Sequence, residues 1–137
     1  MILKWLCVGL GRLPTRWGAS VGDPMEKAKS RIRERNLYLW VDEELASMAM
    51  STGRTPNGVR ISMFYTPPNF RGRGYTTACV AQLSAELLAR GMKLCFLYTD
   101  LSNSTSNSIY QRIGYQSVFD IRDIDFDPNA KMERHIR

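Results

Sequence analysis

A short glycine and arginine segment, Arg71-Gly72-Arg73-Gly74, has the composition and position best suited to ligand chemistry. It follows a strand-like apolar segment and precedes a long amphipathic one. Glycine lets the backbone approach a ligand closely, and unpaired N–H groups at the start of a helix bind anions with help from the helix dipole. The segment therefore predicts a cradle for a diphosphate group. A tight turn or a solvated basic loop would contain the same residues, so the segment alone leaves both interpretations open.

The elements that must position this segment follow from hydrophobic periodicity and from turn residues. Asp23, Pro24 and Glu26 predict a capped helix start, and Pro67 and Pro68 separate a strand from the glycine segment. The predicted order is helix, three strands, helix, strand, short helix and one or two final strands, over residues 24–34, 37–41, 45–51, 59–66, 75–90, 93–99, 105–113 and 115–126.

The second predicted helix, residues 75–90, has one apolar face and ends before Gly91. The residues that recur at helical spacing on this face are Cys79, Val80, Leu83 and Leu87. The next segment, residues 93–99, is apolar without interruption in its interior, which is typical of a strand covered on both faces. The glycine segment is thus predicted to lie between a central strand and a helix that packs on the sheet.

Length and composition are those of an ordinary single-domain globular protein. The chain has 137 residues, of which 44% are hydrophobic and 23% charged, which suits one core and excludes a disordered or low-complexity chain. No apolar run approaches the roughly 20 residues that a membrane-spanning helix needs. We expect residues 23–137 to form one domain without a membrane partner.

The opening residues, 1–22, have some features of a signal peptide, since Lys4 precedes a short apolar stretch. Arg12 limits this stretch to seven uncharged residues, and Arg16 and Trp17 occupy the place of a cleavage site. An irregular N-terminal extension is the better interpretation of residues 1–22.

The net charge of +6 is concentrated near the N-terminus, because residues 1–36 contain eight Lys or Arg and three Asp or Glu. The rest of the chain is nearly neutral. A nucleic-acid-binding module would carry its cations on the recognition surface, interleaved with aromatic residues. We therefore expect no nucleic-acid partner.

Cysteine and histidine usage excludes several kinds of site. The chain has three cysteines, Cys7, Cys79 and Cys95. Their odd number and their spacing fit neither a disulfide framework nor a zinc site, which favours a reducing, cytoplasmic location. His135 is the single histidine, so neither a histidine-centred metal site nor a Ser/His/Asp triad can form. We expect no metal, and most hydrolase classes are excluded.

Two motifs in the right order make residues from about 23 to 126 resemble the GNAT superfamily of acyl-CoA-dependent N-acetyltransferases. Relatives carry Q/R-x-x-G-x-G/A at the start of the long helix, and here Arg71, Gly74 and Thr76 occupy those positions. Thr76 stands where relatives have a smaller residue, and its branched side chain would narrow the approach to the diphosphate. The second motif, N-x-x-A-x-x-x-Y-x-x-x-G-F, is matched by Asn103, Tyr110, Gly114 and Tyr115, with Ser106 replacing the small apolar residue.

The resemblance implies an α/β (α+β) fold with a mixed, mostly antiparallel central sheet, flanking helices and a splayed strand pair that forms the acyl-CoA cleft. It implies acetyl-CoA as co-substrate. Backbone N–H groups of residues 71–76 would hold the pyrophosphate, residues 64–66 would pair with the pantetheine arm like an added strand, and Asn103 would contact that arm. The implied cofactor-binding residues are Phe64, Tyr65, Thr66, Arg71, Gly72, Arg73, Gly74, Tyr75, Thr76 and Asn103.

The resemblance also places Tyr110 near the sulfur of the cofactor, as the catalytic residue. A phenol with a pKa of about 10, facing a thiolate whose conjugate acid has a pKa of about 8.5, can donate a proton or a hydrogen bond. The alternative is a core tyrosine that packs the short helix. The sequence does not identify the general base, because Glu43, Glu44 and Asp100 all suit solvated turns.

The activity that the resemblance implies is transfer of an acetyl group from acetyl-CoA to a primary amine of a small molecule or peptide, by direct attack on the thioester. A homodimer is a further expectation. GNAT domains usually begin with a strand and one or two helices on the acceptor side of the cleft, whereas only one convincing helix precedes Leu37. The alternative is therefore a catalytically weak acyl-CoA-binding or dimerisation module, with RNA binding ranked last.

Overall fold

The computed structural model describes residues 24–122. The expectations for residues 1–22, for the cap at Asp23 and for the chain beyond residue 122 lie outside this range. The helices are α1 (Pro24–Arg33), α2 (Tyr75–Ala89) and α3 (Ser104–Arg112), and the strands are β1 (Leu37–Asp42), β2 (Glu44–Thr52), β3 (Gly58–Tyr65) and β4 (Leu94–Phe96), with one 3-10 turn at Pro68–Phe70. Across this range, no helix has the length and apolarity needed to cross a membrane.

The four strands form one mixed sheet in the order β1-β2-β3-β4. β1, β2 and β3 are antiparallel neighbours, whereas β4 is parallel to β3. Glu43 makes the tight turn of the first hairpin in the left-handed region, with φ 57°. This arrangement confirms the mostly antiparallel central sheet with flanking helices.

Helix α2 packs on one face of the sheet and supplies much of its core. Its buried residues are the four that helical periodicity predicted, Cys79, Val80, Leu83 and Leu87. Cys79, Leu83 and Leu87 pack with Ala49, Val59 and Ile61 of β2 and β3. Met48 and Met50 form a second buried cluster, against which the partly buried Leu37 and Leu39 pack. These two methionines therefore belong to the core.

Leu83 should carry a large share of the stability of this core because it is 1% exposed. We expect Leu83→Ala to lower the free energy of unfolding by about 2–5 kcal/mol, through lost burial and the cavity left behind. Urea denaturation measures this change. Leu88→Ala is the matched control, since Leu88 lies on the same helix and is 46% exposed. Equal losses in the two variants would contradict the packing of α2.

Strand β3 contains a bulge near its end. Met48 pairs with Tyr65 and Met50 with Ser62, so a two-residue step on β2 faces a three-residue step on β3. Met63 lies within this step and has a φ of 58°, which non-glycine residues adopt rarely. Because a bulge bends its strand and increases the local twist, it changes the direction of the last residues of β3.

The prediction of a strand covered on both faces over residues 93–99 was wrong in extent and in burial. β4 spans only Leu94–Phe96, and Leu94 is 46% exposed. The predicted strand over residues 115–126 was also wrong for residues 115–122, which are irregular, with Val118 82% exposed; residues 123–126 lie outside the described range. The two errors are linked. Because residues 115–122 form no strand that pairs with β4, β4 lies at the edge of the described sheet.

Candidate functional site

A cleft of about 360 Å³ lies where the end of β3, the start of α2 and helix α3 meet. Six of the residues predicted from sequence line it, together with one that was not predicted. The lining residues are Phe64, Tyr65, Thr66, Arg71, Thr76, Ser106 and Tyr110. Residues far apart in the sequence, from the two motifs, therefore share one cavity wall.

Separation of the parallel strands β3 and β4 opens this cleft. The two strands pair only from Gly58 to Arg60 on β3, opposite Leu94 to Phe96. β3 then continues to Tyr65 without a β4 partner, and the bulge at Met63 turns Phe64 and Tyr65 toward the cleft wall. A strand edge that lacks its neighbour can pair with an extended ligand that carries amide groups.

The glycine segment has the open geometry that a diphosphate cradle needs. Gly72 and Gly74 are both in the left-handed region, with φ values of 75° and 82°, and a Cβ built on either would meet nothing within 4 Å. Gly74 caps α2 without a side-chain hydrogen bond, so the N–H groups of Tyr75 and Thr76 have no partner within the helix. These groups and the helix dipole favour an anion.

The side chains of this segment point in different directions. Arg71 Nε donates to the carbonyl oxygen of Thr66 at 3.0 Å, which holds its guanidinium on the cleft wall. Arg73 instead stacks over Phe70, with its Cζ 5.8 Å from the ring centroid. Tyr75 reaches the first hairpin, where its hydroxyl donates to Asp42 at 2.6 Å; this bond to a carboxylate raises the pKa of Tyr75.

The cleft lining does not include Gly72, Arg73, Gly74 or Tyr75. Their predicted contribution is through backbone N–H groups, and that contribution remains a prediction.

Tyr110 lies on the inner wall of the cleft and is 9% exposed. Its ring is 5.8 Å from that of Phe64 and 6.2 Å from that of Tyr115. Its hydroxyl makes no hydrogen bond within residues 24–122, and its oxygen is not fully buried. Burial raises the pKa of Tyr110 above its ordinary value of 10. The phenol therefore stays protonated at neutral pH and can donate.

Comparison with known protein families identifies the family to which this chain belongs. The family described as FR47-like protein matches residues 40–122, which is more than half of the chain and includes every cleft-lining residue. The chain belongs to the FR47-like family, within the GNAT superfamily. No curated protein matches this FR47-like chain.

Solved GNAT structures share the fold of this FR47-like protein. A protein described as a GNAT-family acetyltransferase, from Novosphingobium aromaticivorans DSM 12444, is 30% identical with a TM-score of 0.53, over 58% of this chain and 36% of that chain. The match thus spans about a third of that relative's length. A ribosomal-protein-alanine N-acetyltransferase from Brucella melitensis is 18% identical with a TM-score of 0.67, over 82% of this chain and 75% of that one.

A third similar structure contains a ligand. AAC(6')-Iy in complex with the bisubstrate analogue CoA-S-monomethyl-acetylneamine is 14% identical, with a TM-score of 0.63, over 88% of this chain and 91% of that chain. At such low identity, the Brucella and AAC(6')-Iy structures establish a shared fold and not a shared substrate.

Helix α3 of the FR47-like protein is held in place by its own capping residues. Asn103 Oδ1 accepts a hydrogen bond from the N–H of Ser106 at 3.1 Å, and Asn107 Nδ2 donates to the carbonyl of Asp100 at the same distance. Asn103 does not line the cleft. Its predicted contact with the cofactor arm remains a prediction, beside a cap role that the structure shows.

Ser106 is the cleft-lining residue that sequence reasoning did not select. Its position in the second motif was noted only because serine replaced a small apolar residue there. The spacing contains the missing signal: Ser106 precedes Tyr110 by four residues, and residues four apart lie on the same helix face. A helix that directs Tyr110 into the cleft also directs Ser106 there.

Proposed function

We propose that this FR47-like protein is an N-acetyltransferase that transfers an acetyl group from acetyl-CoA to a primary amine by direct attack. The observation that supports this most is the shared cleft, in which Tyr110 lies with the start of α2 and with the end of β3 that β4 does not cover. Each of these features matches a different part of an acyl-CoA molecule, namely its sulfur, its amide-bearing arm and its diphosphate.

The residues present fit acetyl-CoA as a co-substrate. The backbone of residues 71–76 would hold the diphosphate, because Gly72 and Gly74 leave open space beside the helix start. The edge of β3 at residues 64–66 would hydrogen-bond to the pantetheine arm, since β4 does not cover it. We also propose that Asn103 contacts this arm. The bound thioester would supply the acetyl group.

Tyr110 would act as the general acid of the reaction. Burial raises its pKa, so the phenol is protonated when a thiolate develops and can donate a hydrogen bond to it. Within residues 24–122, neither a carboxylate nor an imidazole lines the cleft. The acceptor amine would therefore lose its proton to water, and the rate would increase with pH until the amine is neutral.

The acceptor is proposed at the level of a primary amine. The Brucella relative is named for a ribosomal-protein alanine and the analogue bound to AAC(6')-Iy contains acetylneamine, so both a peptide amine and a small-molecule amine belong in a screen. A cytoplasmic location and a homodimer remain proposals that follow from the cysteine pattern and the family resemblance.

The alternative of a catalytically weak acyl-CoA-binding or dimerisation module has one observation in its favour. Every side chain of α1 that the structure describes is exposed, and its described ion pairs, Lys29–Glu26 and Arg31–Glu34, form within the segment itself or next to it. Among the α1 side chains that the structure describes, none is buried against another element.

Calorimetry followed by an amine screen tests the proposed function. The full chain is titrated with acetyl-CoA and with desulfo-CoA, and acetyl transfer to aminoglycosides, polyamines and short peptides is then followed by release of free thiol. Binding at micromolar concentration together with transfer supports the enzyme. Binding without transfer to any amine supports the module, and no heat with either cofactor overturns both.

A further inference from the structure

Three hydroxyl groups form a continuous hydrogen-bonded chain from the core to the cleft. Ser47 Oγ lies 2.8 Å from Thr66 Oγ1, which lies 2.7 Å from Thr76 Oγ1. Ser47 is fully buried and Thr66 is 8% exposed, whereas Thr66 and Thr76 both line the cleft. At the inner end, Ser47 Oγ also lies 3.3 Å from the carbonyl oxygen of Tyr65, which it can reach as a donor.

This chain has a direction because each hydroxyl has one proton. If Ser47 donates to the Tyr65 carbonyl, then Thr66 donates to Ser47 and Thr76 donates to Thr66, so Thr76 presents only lone pairs to the cleft. In the opposite direction Ser47 donates to Thr66, Thr66 donates to Thr76, and Thr76 keeps a proton for a ligand. The bond lost in the second case is the Ser47–Tyr65 one, the longest of the three.

An anionic oxygen in the cleft would select the outward direction. Hydrogen bonds to a charged acceptor are roughly twice as strong as neutral ones, and bonds in a chain strengthen one another. Thr76 also lies in the first turn of α2, and Arg71 is held on the same wall by its bond to the Thr66 carbonyl. The local charges and dipoles thus favour an anion beside the Thr76 hydroxyl.

We propose that Thr76 is a specificity-determining residue whose hydroxyl donates to the diphosphate of acyl-CoA, and that Thr66 and Ser47 are positioning residues that make Thr76 a donor. This inference rests on the proposed function, since it takes CoA as the ligand. The Thr76 hydroxyl is hydrogen-bonded to Thr66. It therefore supplies the cleft wall with a hydrogen-bond donor that a glycine or alanine at this position would lack.

Comparison of CoA with pantetheine, which has no diphosphate, tests the role of Thr76. Dissociation constants are measured by calorimetry for CoA and by ligand-observed NMR for pantetheine, on the full chain. We expect Thr76→Val to weaken CoA by at least about tenfold, the loss of a charge-assisted hydrogen bond. Pantetheine affinity should stay unchanged. Thr76→Ser should restore CoA affinity to within about threefold of wild type, because it keeps the hydroxyl.

The positioning residues and the control use the same pair of ligands. Ser47→Ala should lower affinity for CoA and leave affinity for pantetheine unchanged, because the chain then loses the bond to Thr66 that strengthens donation from Thr76. A purely structural role would lower both affinities. Thr77→Val is the matched control on the same helical turn, since Thr77 does not line the cleft. Equal CoA affinity in Thr76→Val and wild type would overturn the inference and leave the proposed function standing. Absence of CoA binding in wild type would overturn both.

Discussion

Gly74→Trp should abolish the binding of CoA, with a dissociation constant increased by at least about a hundredfold. The cradle depends on open space beside the start of α2, and a Cβ at Gly74 would enter space that no protein atom occupies within 4 Å. An indole there would fill the place of the diphosphate. At least two hydrogen bonds to a charged group would be lost, each worth about 1.5–3 kcal/mol. Calorimetry with CoA measures the change.

The control for this variant lies at the other end of the same helix. Gly91 has a φ of 95° and likewise has nothing within 4 Å of a built Cβ. Gly91→Trp therefore imposes a similar left-handed strain, and both variants should lose comparable stability in thermal denaturation. Only Gly74→Trp should lose CoA. If Gly91→Trp weakened CoA to the same extent, the effect would be global and the cradle at Gly74 would be wrong.

The sequence was sufficient for the parts of the fold that depend on local rules. The buried face of α2 follows from helical spacing, and all four of its predicted residues are buried. The strand, glycine turn and helix that surround Gly74 follow from the backbone freedom of glycine and from the prolines before it. The first hairpin likewise follows from its turn residues, with Glu43 at its tip.

The parts that the sequence did not predict depend on long-range pairing. Residues 93–99 have the apolar pattern of a buried strand, but burial of β4 requires a neighbour on its outer side, and no local pattern states whether one pairs there. The bulge at Met63 is similar, because its left-handed backbone results from the register of β2 against β3. Methionine does not by itself favour that conformation.

The candidate site was likewise predicted in part. The two sequence motifs predicted that Arg71, Thr76 and Tyr110 belong to one site, and all three line the cleft. The hydroxyl chain behind Thr76 could not be predicted, because Ser47 and Thr66 come from different strands and meet only once the sheet and α2 have packed. Pairing between distant elements is therefore what the sequence alone left open.

Tyr110→Phe should lower kcat for acetyl transfer by roughly a hundredfold, at the lower end of the usual contribution of a positioned general acid. The substitution keeps the ring that packs 5.8 Å from Phe64 and removes only the hydroxyl, which makes no hydrogen bond within residues 24–122. KM for acetyl-CoA should change little, because the phenol acts on the developing thiolate and not on the bound thioester. Steady-state kinetics on an accepted amine separate the two constants.

Tyr115→Phe is the matched control, because its hydroxyl lies 2.8 Å from Ser84 Oγ and its ring contacts Tyr110. This variant should keep kcat and lose stability by about 1 kcal/mol. The pH profile gives a second criterion. Burial raises the pKa of Tyr110 above 10, so loss of the acid on the alkaline side should begin only above about pH 10. Unchanged kcat in Tyr110→Phe, or an alkaline limb near pH 8 that this variant removes, would contradict the role of Tyr110.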